Sequence, residues 1–283
     1  MSKFSFIHQR LTFNLRKTIG LIHRGSALNR NERKIKVTVT LTSYGQRIFT
    51  VDTTIKSLLS QRLKPDRIVL WLYRGDVDRQ PLPAQLSALV HMGLTIRYVE
   101  NDLRSYKKLI PALHEYPHDV LITCDDDAVY PYDFIEGLYS AHLRHPECVV
   151  AYRCLWMEII RGDFAPYMSW RAKHHHTPSV WLFPTGVGGI LYPPNCLHSD
   201  VSNERTFTAL APTADDVWFK CMALLKGTKT IQVAGRCIEV PVVPNTQNVA
   251  LWKTNASQVC CDNDAMIENV NQRYNIIELL KDI

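Results

Sequence analysis

Long apolar runs are missing from this chain. No stretch of roughly eighteen residues, the length a membrane-spanning helix needs, is uninterrupted hydrocarbon. The most apolar window, residues 180–192, is broken by Pro184, Gly186, Gly188 and Gly189 and reads as strand and loop. Paired cysteine spacing is missing too: the eight cysteines are scattered without a C-x-x-C, and the adjacent Cys260 and Cys261 are ill placed to share a structural zinc knuckle. Reduced thiols in the cytosol are the expectation. The first residues lack the continuous apolar core and small-residue cleavage site of a secretory signal, so no export is expected. There is no internal repeat and no low-complexity tract, and an apolar share of 46% with 21% charged residues excludes extensive disorder.

What is present begins with charge. Residues 1–36 hold nine basic side chains against Glu32 alone, so the net +6 of the 283-residue chain sits in an arm and the rest is nearly neutral. Phe4, Ile7, Leu11, Leu15, Ile19 and Ile22 recur at three- and four-residue steps beside Arg10, Arg16, Lys17 and Arg24. That pattern is a basic amphipathic helix, which either lies on an anionic membrane surface or packs on the domain or a partner. Residues 24–34 read as its linker. We therefore expect an arm over 1–34 and a catalytic domain over 35–283. The location expected is cytoplasmic, with peripheral attachment at the inner face of the membrane through residues 1–33. No nucleic-acid partner is expected.

From residue 35 strands alternate with helices. IKVTVTL (35–41), RIVLWLY (67–73), LTIRYVE (94–100) and DVLIT (119–123) read as strands. Between them, helical faces are predicted from Val51, Ile55, Leu58, Leu59 and Leu63, from Leu82, Leu86, Leu89 and Val90 with Gly93 as the C-terminal cap, and from residues 106–115. Crossovers of this kind predict an α/β fold with a mainly parallel sheet and helices on both faces, whose ligands sit beyond the carboxyl ends of the strands. Further on, the pattern predicts a helix over 132–145, strands at 148–153, 187–192 and 230–235, and a helix over 215–225. A nucleotide-binding half to 127 and an acceptor half over 128–283 are the expected division.

The strongest chemical signal is ITCDDDAVYP, residues 122–131. Three consecutive carboxylates closing an apolar strand repel one another, so a cation is expected with them. A hard divalent ion, Mn²⁺ or Mg²⁺, held by carboxylates is what a nucleotide diphosphate needs. Alternation along an extended segment would turn Asp125 and Asp127 to one pocket and Asp126 away.

In order and spacing, TLTSYGQR (40–47), DLRSYKKL (102–109), DDD (125–127), TGVGGILYPP (185–194) and ADDVWF (214–219) resemble the inverting GT-A glycosyltransferases, family 2-like. More narrowly, they are similar to small bacterial transferases of surface-polysaccharide clusters. The resemblance implies a Rossmann-like single domain, a nucleotide-sugar donor such as a UDP-hexose, and a glycan or lipid-linked glycan acceptor. It also implies metal ligands at Asp125 and Asp127, with Asp126 beside the donor.

The residues agree piece by piece. Thr42, Ser43 and Tyr44 offer hydroxyls and a stacking face for base and ribose, with Arg47 in the same segment. Asp102 suits a base N–H, and Lys108, ahead of Lys107, suits the diphosphate. Gly188 and Gly189 let backbone approach a ligand, or mark a bulge in a strand. Asp215 and Asp216 open a helix. Inverting transfer needs a carboxylate base, and the family's pattern of an acidic pair points to Asp216, with Asp215 the alternate. The familiar pair is Glu-Asp, so Asp-Asp is a departure.

Trp156, Trp170 and Trp181 suit sugar stacking or core packing. His174–His176 read as loop rather than metal site, and residues 248–252 and 262–264 as a segment closing over the donor. An aspartyl phosphatase would carry its D-x-D on the first strand. A sugar nucleotidyltransferase would carry a glycine-rich loop with arginine there, and a non-catalytic carbohydrate-binding or assembly protein has no need of both acidic clusters.

Overall fold

The computed structural model describes residues 27–172, 174–233, 240–244, 246 and 263–281. The expected amphipathic helix and residues 248–252 lie outside them. The chain divides into two compact units. One is Met1–Leu103 with Lys107–Gly137 and Glu239–Asn248; the other is Arg104–Tyr106 with Leu138–Ile238 and Val249–Ile283.

The first unit carries β1 (Val37–Thr42), β2 (Arg67–Tyr73), β3 (Leu94–Val99) and β4 (Val120–Cys124). Their order is β4-β1-β2-β3, and every pairing is parallel. The β1 sequence alternates valine and leucine with threonine, and the strand is buried on both sides, as a sheet with helices on both faces requires. Its central position explains this, and its threonines are reconciled to burial by hydrogen bonds. Thr40 Oγ1 donates to the Lys108 carbonyl at 2.6 Å and accepts from Trp71 Nε1 at 2.9 Å. Thr38 Oγ1 donates to Asp119 Oδ2 at 2.7 Å. A buried hydroxyl left without such partners would cost about 1–3 kcal/mol.

Between the strands run α1 (Val51–Leu59), α2 (Arg74–Arg79), α3 (Ala84–His91) and α4 (Ile110–Glu115), with α5 (Phe134–Arg144) after β4. On α1, Val51, Ile55, Leu58 and Leu59 are all buried as their spacing predicts, each contributing about 1.5–3 kcal/mol; Leu63 falls beyond the helix end. On α3, Leu86 and Leu89 are buried and Val90 is exposed. The helix is only eight residues long and presents a narrower stripe than expected. Gly93 follows at φ +114°, the positive backbone angle that favours glycine at a helix exit. Residues 27–34 are irregular but are not a free linker. The Asn29 amide donates to the Pro65 carbonyl, and the Arg33 guanidinium meets Asp66 at 2.6 Å.

The second unit carries β5 (Val149–Ala151), β6 (Cys154–Trp156), β7 (Ile159–Ile160), β8 (Asp163–Phe164), β9 (Arg171–Ala172), β10 (Leu182–Pro184), β11 (Ile190–Tyr192) and β12 (Thr230–Gln232). β12 runs parallel to β5 and β11 antiparallel to it; β10-β6-β9 form an antiparallel set, and β7 pairs with β8. Its helices are α6 (Glu204–Leu210), α7 (Asp215–Leu225), α8 (Asn263–Tyr274) and α9 (Ile276–Lys281). α7 has the expected bounds. The expected strand over 187–192 is confined to 190–192, because the preceding glycines turn. The chain is therefore α/β with a mainly parallel sheet and flanking helices, as the alternation predicts. Among the described residues no helix is long and apolar enough to cross a membrane.

Candidate active site

Strand register assembles the first cluster. Leu41 lies opposite Cys124, so two residues further on Ser43 comes level with Asp126, and its hydroxyl donates to Asp126 Oδ2 at 2.6 Å. β4 has ended by then, and residues 125–127 form a turn instead of an extended run. The expected alternation of the three aspartates therefore has no extended segment to rest on, though Asp126 is the one of them that is buried. Asp126 and Asp127 share the Arg47 guanidinium, with Nη1 at 2.8 Å from Asp126 and Nη2 on Asp127. Asp125 instead faces Lys108 Nζ at 3.4 Å.

The turn is fixed from several sides. Thr54 Oγ1 of α1 donates to the Asp126 carbonyl at 2.9 Å, and the Tyr130 hydroxyl accepts from the Asp125 amide at 2.8 Å. The returning segment 241–243 adds Val243 N to the Asp127 carbonyl and Val129 N to the Pro241 carbonyl. Tyr130 has no role in the sequence reading. Its place six residues past β4 in a Tyr-Pro step is a turn signal and says nothing of where the hydroxyl goes.

The electrostatics follow from burial. Asp126 is pushed up to about 6, chiefly because burial disfavours its charged form, with Arg47 and Ser43 opposing. Burial also disfavours charge on Arg47, but Asp126 and Asp127 outweigh it and hold the guanidinium above its ordinary range. Burial likewise raises the Tyr44 phenol, whose ring lies 5.7 Å from the Arg47 carbon. The Thr42 hydroxyl donates to the Trp71 carbonyl and so serves the sheet. Lys107, ranked behind Lys108 in the sequence, is buried and paired with Asp102, its Nζ 5.9 Å from the centre of the Tyr73 ring. Lys108 is buried as well.

In the second unit, Asp215 and Asp216 open α7. Asp215 is buried, whereas Asp216 is partly exposed and its Oδ1 accepts the Val217 amide at 3.0 Å. The neighbours are phenols. Burial, with Asp215 and Asp216 adding, drives Tyr106 far above its ordinary value, and its hydroxyl donates to the Ala211 carbonyl at 2.5 Å. Tyr167 is raised by burial and by Asp216, while Arg153 opposes. Arg153 itself donates to Thr185 Oγ1 at 2.9 Å. Neither tyrosine nor this arginine is singled out by sequence, because nothing local announces contacts made tens of residues away.

Gly188 and Gly189 adopt φ of +95° and +79°, with the Gly189 amide closing a turn on the Gly186 carbonyl. Trp170 is core: its indole N–H donates to the Ala165 carbonyl. Trp156 and Trp181 are partly exposed and stacked at 6.5 Å, and His175 packs 5.0 Å from Trp156. Asp264 lies in the first turn of α8 and accepts the Tyr167 amide at 2.6 Å.

Among the described residues no group of three His, Cys, Asp or Glu side chains stands ready to enclose a metal. The Asp125–Asp127 donor set still fits a hard cation of the Mg²⁺ type, which is held by one or two carboxylates together with substrate phosphates. Asp125 is about one-third exposed, and its lysine contact is long.

No family model and no curated protein matches the chain. Solved structures similar to it include a mannosyltransferase, PcManGT from Pyrobaculum calidifontis, in complex with GDP-Man and Mn²⁺. That likeness has 15% identity and a TM-score of 0.44, covering 81% of this chain and 63% of that one. A second is S. aureus TarS 1–349 in complex with UDP, with 12% identity, a TM-score of 0.48 and coverage of 72% and 59%. A third is a CMP:2-keto-3-deoxy-manno-octonic acid synthetase complexed with CTP, with 13% identity, a TM-score of 0.41 and coverage of 70% and 88%. The chain spans about three-fifths of the first two. At such identities and scores these likenesses carry no functional conclusion.

Proposed function

We propose that this protein is a nucleotide-sugar glycosyltransferase that moves a hexose, from a UDP-sugar in the first instance, onto a hydroxyl of a glycan or lipid-linked glycan with inversion. One observation carries the reading: Asp125, Asp126 and Asp127 lie just past the carboxyl end of β4, the edge of a parallel sheet where ligands bind. Ser43, Tyr44, Arg47 and Lys108 stand around them.

Each group has a task in this reading. Asp125 and Asp127 would hold Mn²⁺ or Mg²⁺, which would supply positive charge to neutralise a departing diphosphate. Asp126 holds Arg47 and, with it, the shape of the turn. Tyr44 offers its face to the base, Thr42 and Ser43 the backbone beside the ribose, and Asp102 a base N–H. Lys108 turns from Asp125 to the diphosphate oxygens. Gly188 and Gly189 admit a ligand close to backbone, where a β-carbon would stand in the way. Asp216, the partly exposed member of its pair, removes the proton of the attacking hydroxyl, and Asp215 supports the helix start. The Trp156–Trp181 stack is a platform for an acceptor ring. Residues 1–33 attach the protein to an anionic membrane surface.

The test is a screen of UDP-, GDP- and CMP-sugars with the full chain and Mn²⁺, reading the released nucleotide. Turnover of one donor that vanishes with chelator and in Asp127→Ala is the expected result. Release of pyrophosphate from a nucleoside triphosphate and free sugar would make the protein a nucleotidyltransferase instead. Full turnover after thorough metal removal would end the metal assignment.

A further inference from the structure

At the amino edge of the first unit's strands lies an open pocket of about 630 Å³. Five basic side chains line it, Arg30, Arg33, Lys34, Lys36 and Arg67, against two acids, Glu32 and Asp66. β1 runs from this pocket, at Val37, to Ser43 beside Asp126. At roughly 3.3 Å per residue the two sites lie about 20 Å apart. The pocket is therefore not the diphosphate end of the candidate active site.

Its shape is built in. Asp66 is the post on which the incoming chain hangs: its Oδ2 accepts from Arg33 and from the Val37 amide at 2.7 Å, and its Oδ1 from the Asn29 side chain at 2.7 Å. That carboxylate is thus committed to holding the segment. Arg67 is steered by Asp119 and lies 4.9 Å over the Tyr116 ring. Arg30, Lys34 and Lys36 remain exposed around the rim. Cations gathered on one concavity repel one another, and a polyoxygen anion relieves that repulsion while taking charge-assisted hydrogen bonds. No aromatic side chain lines the pocket, which argues against stacking single-stranded nucleic acid. The sequence immediately before it, residues 1–26, is the basic stretch with an apolar stripe.

We propose that this pocket is a phosphate-binding site that seats the headgroups of anionic phospholipids, so that the folded unit itself, and not only the preceding arm, engages the membrane. The proposal does not depend on the transferase reading. The experiment is flotation of the full chain on vesicles of phosphatidylglycerol mixed with phosphatidylcholine, against pure phosphatidylcholine. Neutralising the rim with R30Q/K34Q/K36Q, which leaves residues 1–26 unchanged, should weaken binding to the anionic vesicles by about a hundredfold, since each basic residue near such a surface contributes about a factor of five. A K34R/K36R variant should keep binding. The rim is exposed, so thermal unfolding of R30Q/K34Q/K36Q should match wild type, and an unequal melt calls for the single variants, whose losses should add. Undiminished vesicle binding in the triple variant overturns the proposal. So does saturable binding of free glycerol phosphate that is lost in the variant while flotation is unchanged, or displacement of vesicles by a duplex oligonucleotide at equal phosphate.

Discussion

Asp125–Asp127 in the first unit and Asp215–Asp216 in the second are both acidic stretches at the end of a regular element, held by different means. The first sits past the end of a strand, where no backbone dipole helps, and is met by organic cations, Arg47 on two carboxylates and Lys108 on the third. The second opens an eleven-residue helix, whose amino end favours negative charge, and its neighbours include the buried Tyr106 and half-buried Tyr167 phenols. A cluster with its own cations is suited to exchanging them for a metal and a diphosphate. A carboxylate kept partly exposed at a helix start is suited to taking a proton. Further along that helix Lys220 shows the opposite condition: fully buried, its amine has no hydrogen-bond partner among the described residues.

The largest expected effect tests the proton-taking side. Asp216→Asn keeps the shape and the hydrogen bond to the Val217 amide but removes basicity. Turnover should fall about a hundred- to ten-thousandfold while donor affinity, read by titration calorimetry, stays near wild type. A variant that keeps most of its turnover removes Asp216 from the mechanism.

Next comes the cation-held cluster. Arg47→Met leaves Asp126 buried beside Asp127 without the shared guanidinium, and should lower unfolding free energy by about 3–5 kcal/mol in denaturant titration. Adding Asp126→Asn should recover much of the loss, because the orphaned charge and not the missing contact is what costs. If the double variant is no better than the single one, Arg47 acts through packing.

How much of this was legible beforehand differs between the clusters. β2 and α7 have the bounds their patterns predict, because apolar periodicity is a local property. The candidate residues were found by type and place, but their partners were not: Arg47 lies 79 and 80 residues from the carboxylates it joins, and only strand register makes them neighbours. α2 was invisible because none of its residues is buried, so RGDVDR carries no apolar stripe. α8 did carry one, in Met266, Ile267 and Val270, diluted by a polar helix. Nothing in the sequence sets Lys220 apart from other helical lysines. Only the packed structure places it in the interior.

Lys220→Met gives the third prediction. Burial pulls the amine down from 10.5 to about 7, with Cys221 and Cys154 opposing. Above pH 10.5 the folded and unfolded chains are both neutral there and no penalty applies. Between about 7 and 10.5 the unfolded chain holds a proton the folded chain refuses, so stability falls as pH is lowered. Below about 7 both are protonated and the penalty is full. Methionine should therefore stabilise the protein by about 1–3 kcal/mol at pH 6, with the gain shrinking toward pH 10. A gain that is flat with pH would place the amine in contact with water.

The smallest effect separates the two neighbours at the start of α7. Asp215 is the first residue of the helix, after the N-cap Ala214, which has no side chain to accept from the first amides. A carboxylate there is favoured by the helix dipole by about 0.3–1 kcal/mol. Asp215→Asn removes the charge and keeps the size, so stability should drop by about that amount and turnover should hold within a few-fold. Because Asp215 is buried, the drop should persist at high salt, unlike that of an exposed charge at a helix end. The pair of aspartates must then differ in kind, one moving the rate and the other the melting temperature. Loss of turnover in Asp215→Asn with retention in Asp216→Asn would exchange their roles, and the base would then be the buried carboxylate of the pair.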